Sequence, residues 1–163
     1  MTSPVLAQSF ADAFGGFRKQ GNTPISIDAN SLDIQNGAGT AVFSGAVKVV
    51  QNNTVLTANK LTVSYSGSSL TEPSAIKQLV ASGNLLVRTG ARTARANSGT
   101  FNLRSNRVVL NGNVTVTEGK NTAKGCKLTV NLNSGDAKLQ STNCGGAQSS
   151  GGRVQLRITP KNQ

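Results

Sequence analysis

A glycine that opens an alternating strand, with a second motif thirteen positions further on, recurs three times in this chain and leaves few folds open to it. Gly45-Ala46-Val47-Lys48-Val49 leads to Ala58-Asn59-Lys60-Leu61-Thr62-Val63. Gly83-Asn84-Leu85-Leu86-Val87 leads to Ala96-Asn97-Ser98-Gly99-Thr100-Phe101, and Gly112-Asn113-Val114-Thr115-Val116 to Gly125-Cys126-Lys127-Leu128-Thr129-Val130. A half unit, Ala29-Asn30-Ser31-Leu32-Asp33-Ile34, precedes them all. Within each unit apolar residues alternate at period two, the mark of a half-buried strand. In the first, Val47 and Val49 share a face with Gly45, and the chain returns through Leu56, Ala58, Leu61 and Val63. Asn59 and Lys60 break the alternation between Ala58 and Leu61, which predicts a corner or bulge. Short strands with corners at a fixed offset predict an all-β fold: a twisted open β-jellyroll, a solenoid-like stack of short antiparallel strands.

The frame sets the boundaries. Ile25, Ile27 and Ala29 alternate before the corner at Asn30-Ser31, and Leu32 and Ile34 are expected to continue inward. Gln51-Asn52-Asn53, Gly90, Arg104-Ser105-Asn106-Arg107, Glu118-Gly119-Lys120-Asn121 and Ser134-Gly135 mark turns. Ser66 to Ser74 reads as a longer loop, and a last alternating strand runs through Val154, Leu156 and Ile158 to Pro160. Residues 24–159 are therefore expected to form the domain, with a tail at 160–163. Residues 1–23 stand outside the repeat. Ser3-Pro4-Val5-Leu6-Ala7-Gln8 resembles the end of a secretory signal, and Phe10, Phe14 and Phe17 fit either a loose linker or a short segment that covers a sheet edge.

Composition narrows the chemistry. Hydrophobic residues make up 36% and aromatics 4% of the 163, with no tryptophan, so the expected interior is aliphatic and narrow. The absence of histidine removes the commonest general base and metal ligand. Gly119-Lys120 lacks the remainder of a phosphate-binding loop, since Val114 stands where its first glycine is needed. Asp28, Asp33, Glu72, Glu118 and Asp136 read as turn and solubility residues. No enzyme, cofactor or metal site is expected. Cys126 and Cys144 are compatible with a disulfide or with two free thiols.

The net charge of +11 calls for an anionic partner. Arg88, Arg92, Arg95, Arg104 and Arg107 fall within twenty residues. They read either as a solvated face or as a phosphate-recognition set, for which the planar guanidinium is suited. Nucleic acid is the weaker target, because Tyr65 is the only tyrosine and base stacking needs aromatics.

The patterns at Ile27 to Ile34, Ala41 to Val49 and Leu56 to Val63 resemble the OstA-type domain of lipopolysaccharide transport, over about Pro24 to Leu139. The resemblance implies a jellyroll that binds lipopolysaccharide through lipid A and carries it through the periplasm of a Gram-negative bacterium. The soluble bridging member of that family fits best, pairing by its terminal strand edges with inner- and outer-membrane components of the transport system or head-to-tail with itself.

On that reading Val47, Val49, Leu61, Val63, Leu85, Val87, Phe101, Leu103, Val114, Val116, Leu128 and Val130 line an apolar trough for acyl chains. The five arginines orient phosphates, and Ile25, Ile27, Ala29, Val154, Leu156 and Ile158 form the pairing edges. The same twelve aliphatic and aromatic positions also fit an ordinary sealed core. Gly99, where the other units have leucine, is expected to pinch the stack or open it to something bound. The rival class is a secreted β-solenoid that binds glycans or acts as an adhesin.

Overall fold

The computed structural model describes residues 25–66, 76–141 and 154–157. The predicted linker at the N-terminus, the loop after Ser66, Cys144 and Ile158 lie outside them. Among the described residues ten strands form one unclosed antiparallel sheet. They are β1 (Ser26–Asp28), β2 (Ser31–Gln35), β3 (Thr40–Gln51), β4 (Thr54–Tyr65), β5 (Ile76–Thr89), β6 (Arg92–Asn102), β7 (Arg107–Glu118), β8 (Asn121–Asn131), β9 (Ala137–Gln140) and β10 (Gln155–Arg157). β3 to β8 pair in chain order; β1 and β2 share the outer side of β3, and β9 and β10 share that of β8. Among the described residues the one helical element is a 3-10 turn at Asn36–Ala38.

Each long strand is bent near its middle, and the bend explains the repeat. The register jumps at Ser44/Val47, Ser82/Leu85 and Asn111/Val114, where two residues on the odd-numbered strand oppose one on the next. Those two residues are Gly45-Ala46, Gly83-Asn84 and Gly112-Asn113, all with positive φ. Asparagine tolerates that left-handed region better than most side chains, which accounts for its place after two of the three glycines. The glycine meets a second demand from the strand before it. A Cβ on Gly45 would lie 2.6 Å from Asn30 Nδ2 and one on Gly83 2.5 Å from Asn59 Nδ2, while Asn97 crowds Gly112 in the same way. The asparagine of one half repeat therefore packs flat on the glycine of the next.

The bend divides the sheet into two arms. One has two-residue hairpins at its tips, Asn52-Asn53, Gly90-Ala91 and Gly119-Lys120. The other has longer connections, and there Asn102 and Asn131 act alike. Asn102 Oδ1 accepts from the N–H groups of Arg104 and Ser105 at 3.0 Å each, and Asn131 Oδ1 from those of Asn133 and Ser134 at 2.9 and 3.1 Å. The last connection runs from Leu132 to Asp136 and contains the Ser134-Gly135 pair that the sequence suggested, closed by the Gly135 N–H on the Asn131 carbonyl at 2.8 Å. Inner faces of both arms merge in one cluster from Ala41 to Leu132.

Leu32 and Ile34 correct the sequence reading. They lie on the inner face, opposite Phe43 and Ala41, yet are 49% and 47% exposed. The cause is that, among the described residues, β2 pairs only with β3 and no strand lies beyond it to close the core.

Replacing Gly83 by alanine is expected to destabilise the fold by about 1–3 kcal/mol more than the same change at Gly90. Both glycines have positive φ, but a Cβ on Gly90 meets nothing within 4 Å. Urea unfolding midpoints of the two variants measure the asparagine contact apart from the backbone strain.

Candidate lipid-binding face and strand edges

The twelve residues proposed from sequence as a trough are brought together. All are at most 6% exposed and all belong to the central cluster. On the hairpin arm Val49, Leu56, Val87, Ala94, Val116 and Ala123 form one cross-strand row. On the other arm Ala41, Val63, Leu79, Phe101, Val108 and Val130 form another. Every side chain in these rows is aliphatic or aromatic, so the rows themselves offer contacts only to hydrocarbon. Filling it with a leucine or phenylalanine stabilises the fold by roughly 1.5–3 kcal/mol per side chain.

Gly99 neither opens this face nor leaves it empty. A Cβ there would lie 2.6 Å from Leu110 Cδ2 and 2.6 Å from Leu85 Cδ2, so these two leucines occupy the place that a leucine at 99 would take. Cys126 is buried and disulfide-bonded. It falls opposite Gly112-Asn113, at the position held by Asn59 and Asn97 in the other units. Cys144 is the only other cysteine in the sequence.

The rows end differently on the two arms. At the tips of the loop-bearing arm the inner face finishes in buried Tyr65, Ile76, Leu103 and Leu132. At the hairpin tips it finishes in a polar row, Gln51, Thr54, Thr89, Arg92, Glu118 and Asn121, each the cross-strand partner of the next. Gln51, Thr54 and Thr89 are buried, and the Thr54 and Thr89 hydroxyls lie 2.8 Å apart in a hydrogen bond. Arg92 Nη2 is 2.9 Å from Glu118 Oε2, and both side chains are about one third exposed. Sequence reading missed this row because polar residues next to hairpin turns look like turn residues.

The five arginines are not brought together. Arg88 and Arg95 are exposed on the outer face of the hairpin arm. Arg92 shares the inner parity of Ala94 and Ala96 and lies at the rim. Arg104 and Arg107 sit at the opposite tips, where Arg104 and Lys77 flank an open polar recess of about 500 Å³ with Ser64, Gln78, Asn102 and Ser105. Among the described residues no three His, Cys, Asp or Glu side chains gather to hold a metal ion.

Both ends of the stack expose apolar groups. Ile25, Ile27 and Ala29 are half-buried against the core, and at the other end Val154, just before β10, and Leu156, within it, are 45% and 51% exposed. Recesses of about 340 and 350 Å³ lie at the two edges, against Ile27 to Leu32 with Phe43 and against β10 with Thr122 and Lys124.

Two substitutions test how tightly the inner face is filled. Gly99→Ala is expected to cost about 1–3 kcal/mol by overpacking. Adding Leu110→Ala should give a total below the sum of the two single changes, because the second removes the atom the first collides with. Chemical denaturation of the four proteins in the cycle reads the difference.

Three comparisons place this geometry among known proteins. Residues 26–136, about two thirds of the chain, match the family model described as LptA/(LptD N-terminal domain) LPS transport protein. An uncharacterised protein of Rhizobium meliloti (strain 1021) is 35% identical over 167 residues, covering 100% of this chain and 86% of the relative. The crystal structure of LptH, the LptA-homologous periplasmic component of the lipopolysaccharide transport device of Pseudomonas aeruginosa, superposes with a TM-score of 0.72. It shares 22% identity and covers 89% of this chain and 99% of that one, a likeness of fold. The repeat, the bent open sheet and the matched family model agree: the chain belongs to the LptA/LptD N-terminal-domain family of lipopolysaccharide transport proteins.

Proposed function

We propose that this protein acts in the periplasm as a bridge for lipopolysaccharide, taking acyl chains between the two arms and passing them along the stack. The observation that carries the reading is the apolar inner face between the tips of the two arms, with exposed apolar residues at both ends, Leu32 and Ile34 at one and Val154 and Leu156 at the other. A core that is capped has no reason to leave such residues to water, whereas a channel continued in a neighbour does. No helix among the described residues is long and apolar enough to cross a membrane.

Energy decides what the face binds. Burying ten methylenes contributes about 8 kcal/mol, against about 0.2–1 kcal/mol for an exposed charge pair. Acyl burial therefore sets affinity, and the outward arginines, Arg88, Arg95, Arg104 and Arg107, act on phosphates and acidic sugars outside the face. The twelve inner residues are packed against one another when no lipid is present, so acyl chains enter by parting the arms. No phosphate-binding loop is legible in the sequence, so the work of transport comes from partners.

Direction and charge support pairing by the edges. Strand directions alternate without a break from β1 or β2 through β8 to β9 and β10. If β10 of one copy meets β1 of the next, and β9 meets β2, the alternation continues across the joint. With the cross-strand rows carried straight over the joint, Lys138 falls opposite Asp33 and Arg157 on the diagonal from Asp28, within reach of a long side chain, and all four lie on the outer face. Main-chain hydrogen bonds give such an added strand its affinity. Edges of the same kind would receive inner- and outer-membrane components of the transport system.

Two measurements test the reading. Displacement of a fluorescent lipid at moderate salt should show strong binding of intact lipopolysaccharide and little of the same molecule stripped of its acyl chains; equal binding of both would mean that the +11 charge is the binding principle. In sedimentation, Asp28→Lys with Asp33→Lys should weaken self-association about two- to thirtyfold. Combining these with Lys138→Asp and Arg157→Asp should restore it. Wild-type protein that stays monomeric at every concentration would remove self-stacking while leaving unlike partners open.

A further inference from the structure

The polar row at the hairpin tips has no place in an acyl-binding face. Every other row of the inner face is apolar from edge to edge, and the facing tips end in Tyr65, Ile76, Leu103 and Leu132. Six consecutive polar partners are not required by hairpin geometry, since each of these turns is made by the two residues beyond them, Asn52-Asn53, Gly90-Ala91 and Gly119-Lys120. Burying Gln51, Thr54 and Thr89 costs desolvation that aliphatic side chains of the same size would not. The row makes one lip polar where the other is apolar.

We propose that this lip is the headgroup subsite of the glycolipid, and that a phosphate of the ligand takes the place of Glu118 as the partner of Arg92. The inference rests on the lipid-transport reading and names the part of the face that reads the polar end of the cargo. Its geometry follows from exposure. The row is closed at Gln51, Thr54 and Thr89 and reaches water at Arg92 and Glu118, which are 32% and 30% exposed. An anion arriving there with its acyl chains directed inward meets a guanidinium already oriented by a carboxylate 2.9 Å away. Lys120, exposed in the adjoining turn, adds a second cation.

The exchange favours a doubly charged oxyanion over Glu118 because phosphate offers more acceptor oxygens and more charge to the planar fork. Glu118 is 30% exposed and turns to water once displaced, so its release leaves no buried charge. Without ligand, the Thr54–Thr89 hydrogen bond ties β4 to β5 and the Arg92–Glu118 pair ties β6 to β7 along the lip. The row is thus paired within itself in the empty protein, and the headgroup that the acyl chains bring with them releases Arg92 from Glu118. A fatty acid or a neutral acylated sugar fits the same face but lacks the group that displaces Glu118.

The test compares a diphosphorylated lipid A with the same acylated disaccharide after removal of its phosphates, by displacement of a fluorescent lipid from the full chain. Wild type should prefer the phosphorylated form by about tenfold or more. Arg92→Gln should abolish that preference while leaving the dephosphorylated form within twofold, and Arg92→Lys should keep part of it. Glu118→Gln, which removes the competing carboxylate and keeps the shape, should tighten binding of the phosphorylated form alone. The proposal falls if wild type binds both forms equally, or if Arg92→Gln and Glu118→Gln shift both ligands together in step with a fall in thermal midpoint. Failure of wild type to bind either acylated form would instead overturn the lipid-transport reading itself.

Discussion

The contact between an asparagine and a glycine on the next strand is what the rest of this fold depends on. A flat antiparallel sheet of twelve-residue strands cannot bury its own apolar face. The bend converts one sheet into two arms whose inner faces cover each other, and it is made where Gly45, Gly83 and Gly112 allow Asn30, Asn59 and Asn97 to approach. Because the bulge inserts two residues opposite one, it also resets the alternation, so that Ala58 and Leu61 both face inward across Asn59 and Lys60. Every inner row downstream inherits its register from that reset. The corner is a local geometry with a global result.

Much of this was legible because the corner residues are chemically unusual and equally spaced. Glycine and asparagine at a constant interval cannot be explained by solubility, and period two between them fixes which side chains meet. What escaped was of two kinds. Leu32 and Ile34 obey the same alternation as Val63 or Phe101, yet stand exposed, since periodicity specifies a face and not whether another layer lies over it. The polar row escaped for the opposite reason: Thr54, Thr89 and Glu118 flank hairpin turns, where polar residues are ordinary, and only the register shows that they form one line. The arginines illustrate a third limit. Twenty residues of sequence in this topology run down one strand and partway up the next, so Arg88 and Arg107 end at opposite tips of the sheet.

The two lips give the inner face a polarity that neither its composition nor its volume has. Hydrocarbon recognition is without direction, and a purely aliphatic cleft would admit an amphipathic molecule either way round. One polar and one apolar lip define which end of a cargo lies where. In the proposed stacking, a molecule passed from one copy to the next keeps its orientation, which matters when its destination is a particular side of a membrane.

Cys126 occupies the place where Asn59 and Asn97 prepare the corner of the following layer, and its sulfur is already bonded. At the opposite end Asn30 shows that a half repeat suffices to start the pattern. The stack therefore has a polarity of growth written into it: duplication of a unit could add layers before Gly45 without disturbing any existing corner, but a layer grafted after β8 would find a sulfur bridge where its glycine needs an asparagine. In this chain the repeat could be extended ahead of Gly45, while a disulfide at Cys126 stands where a further corner would form.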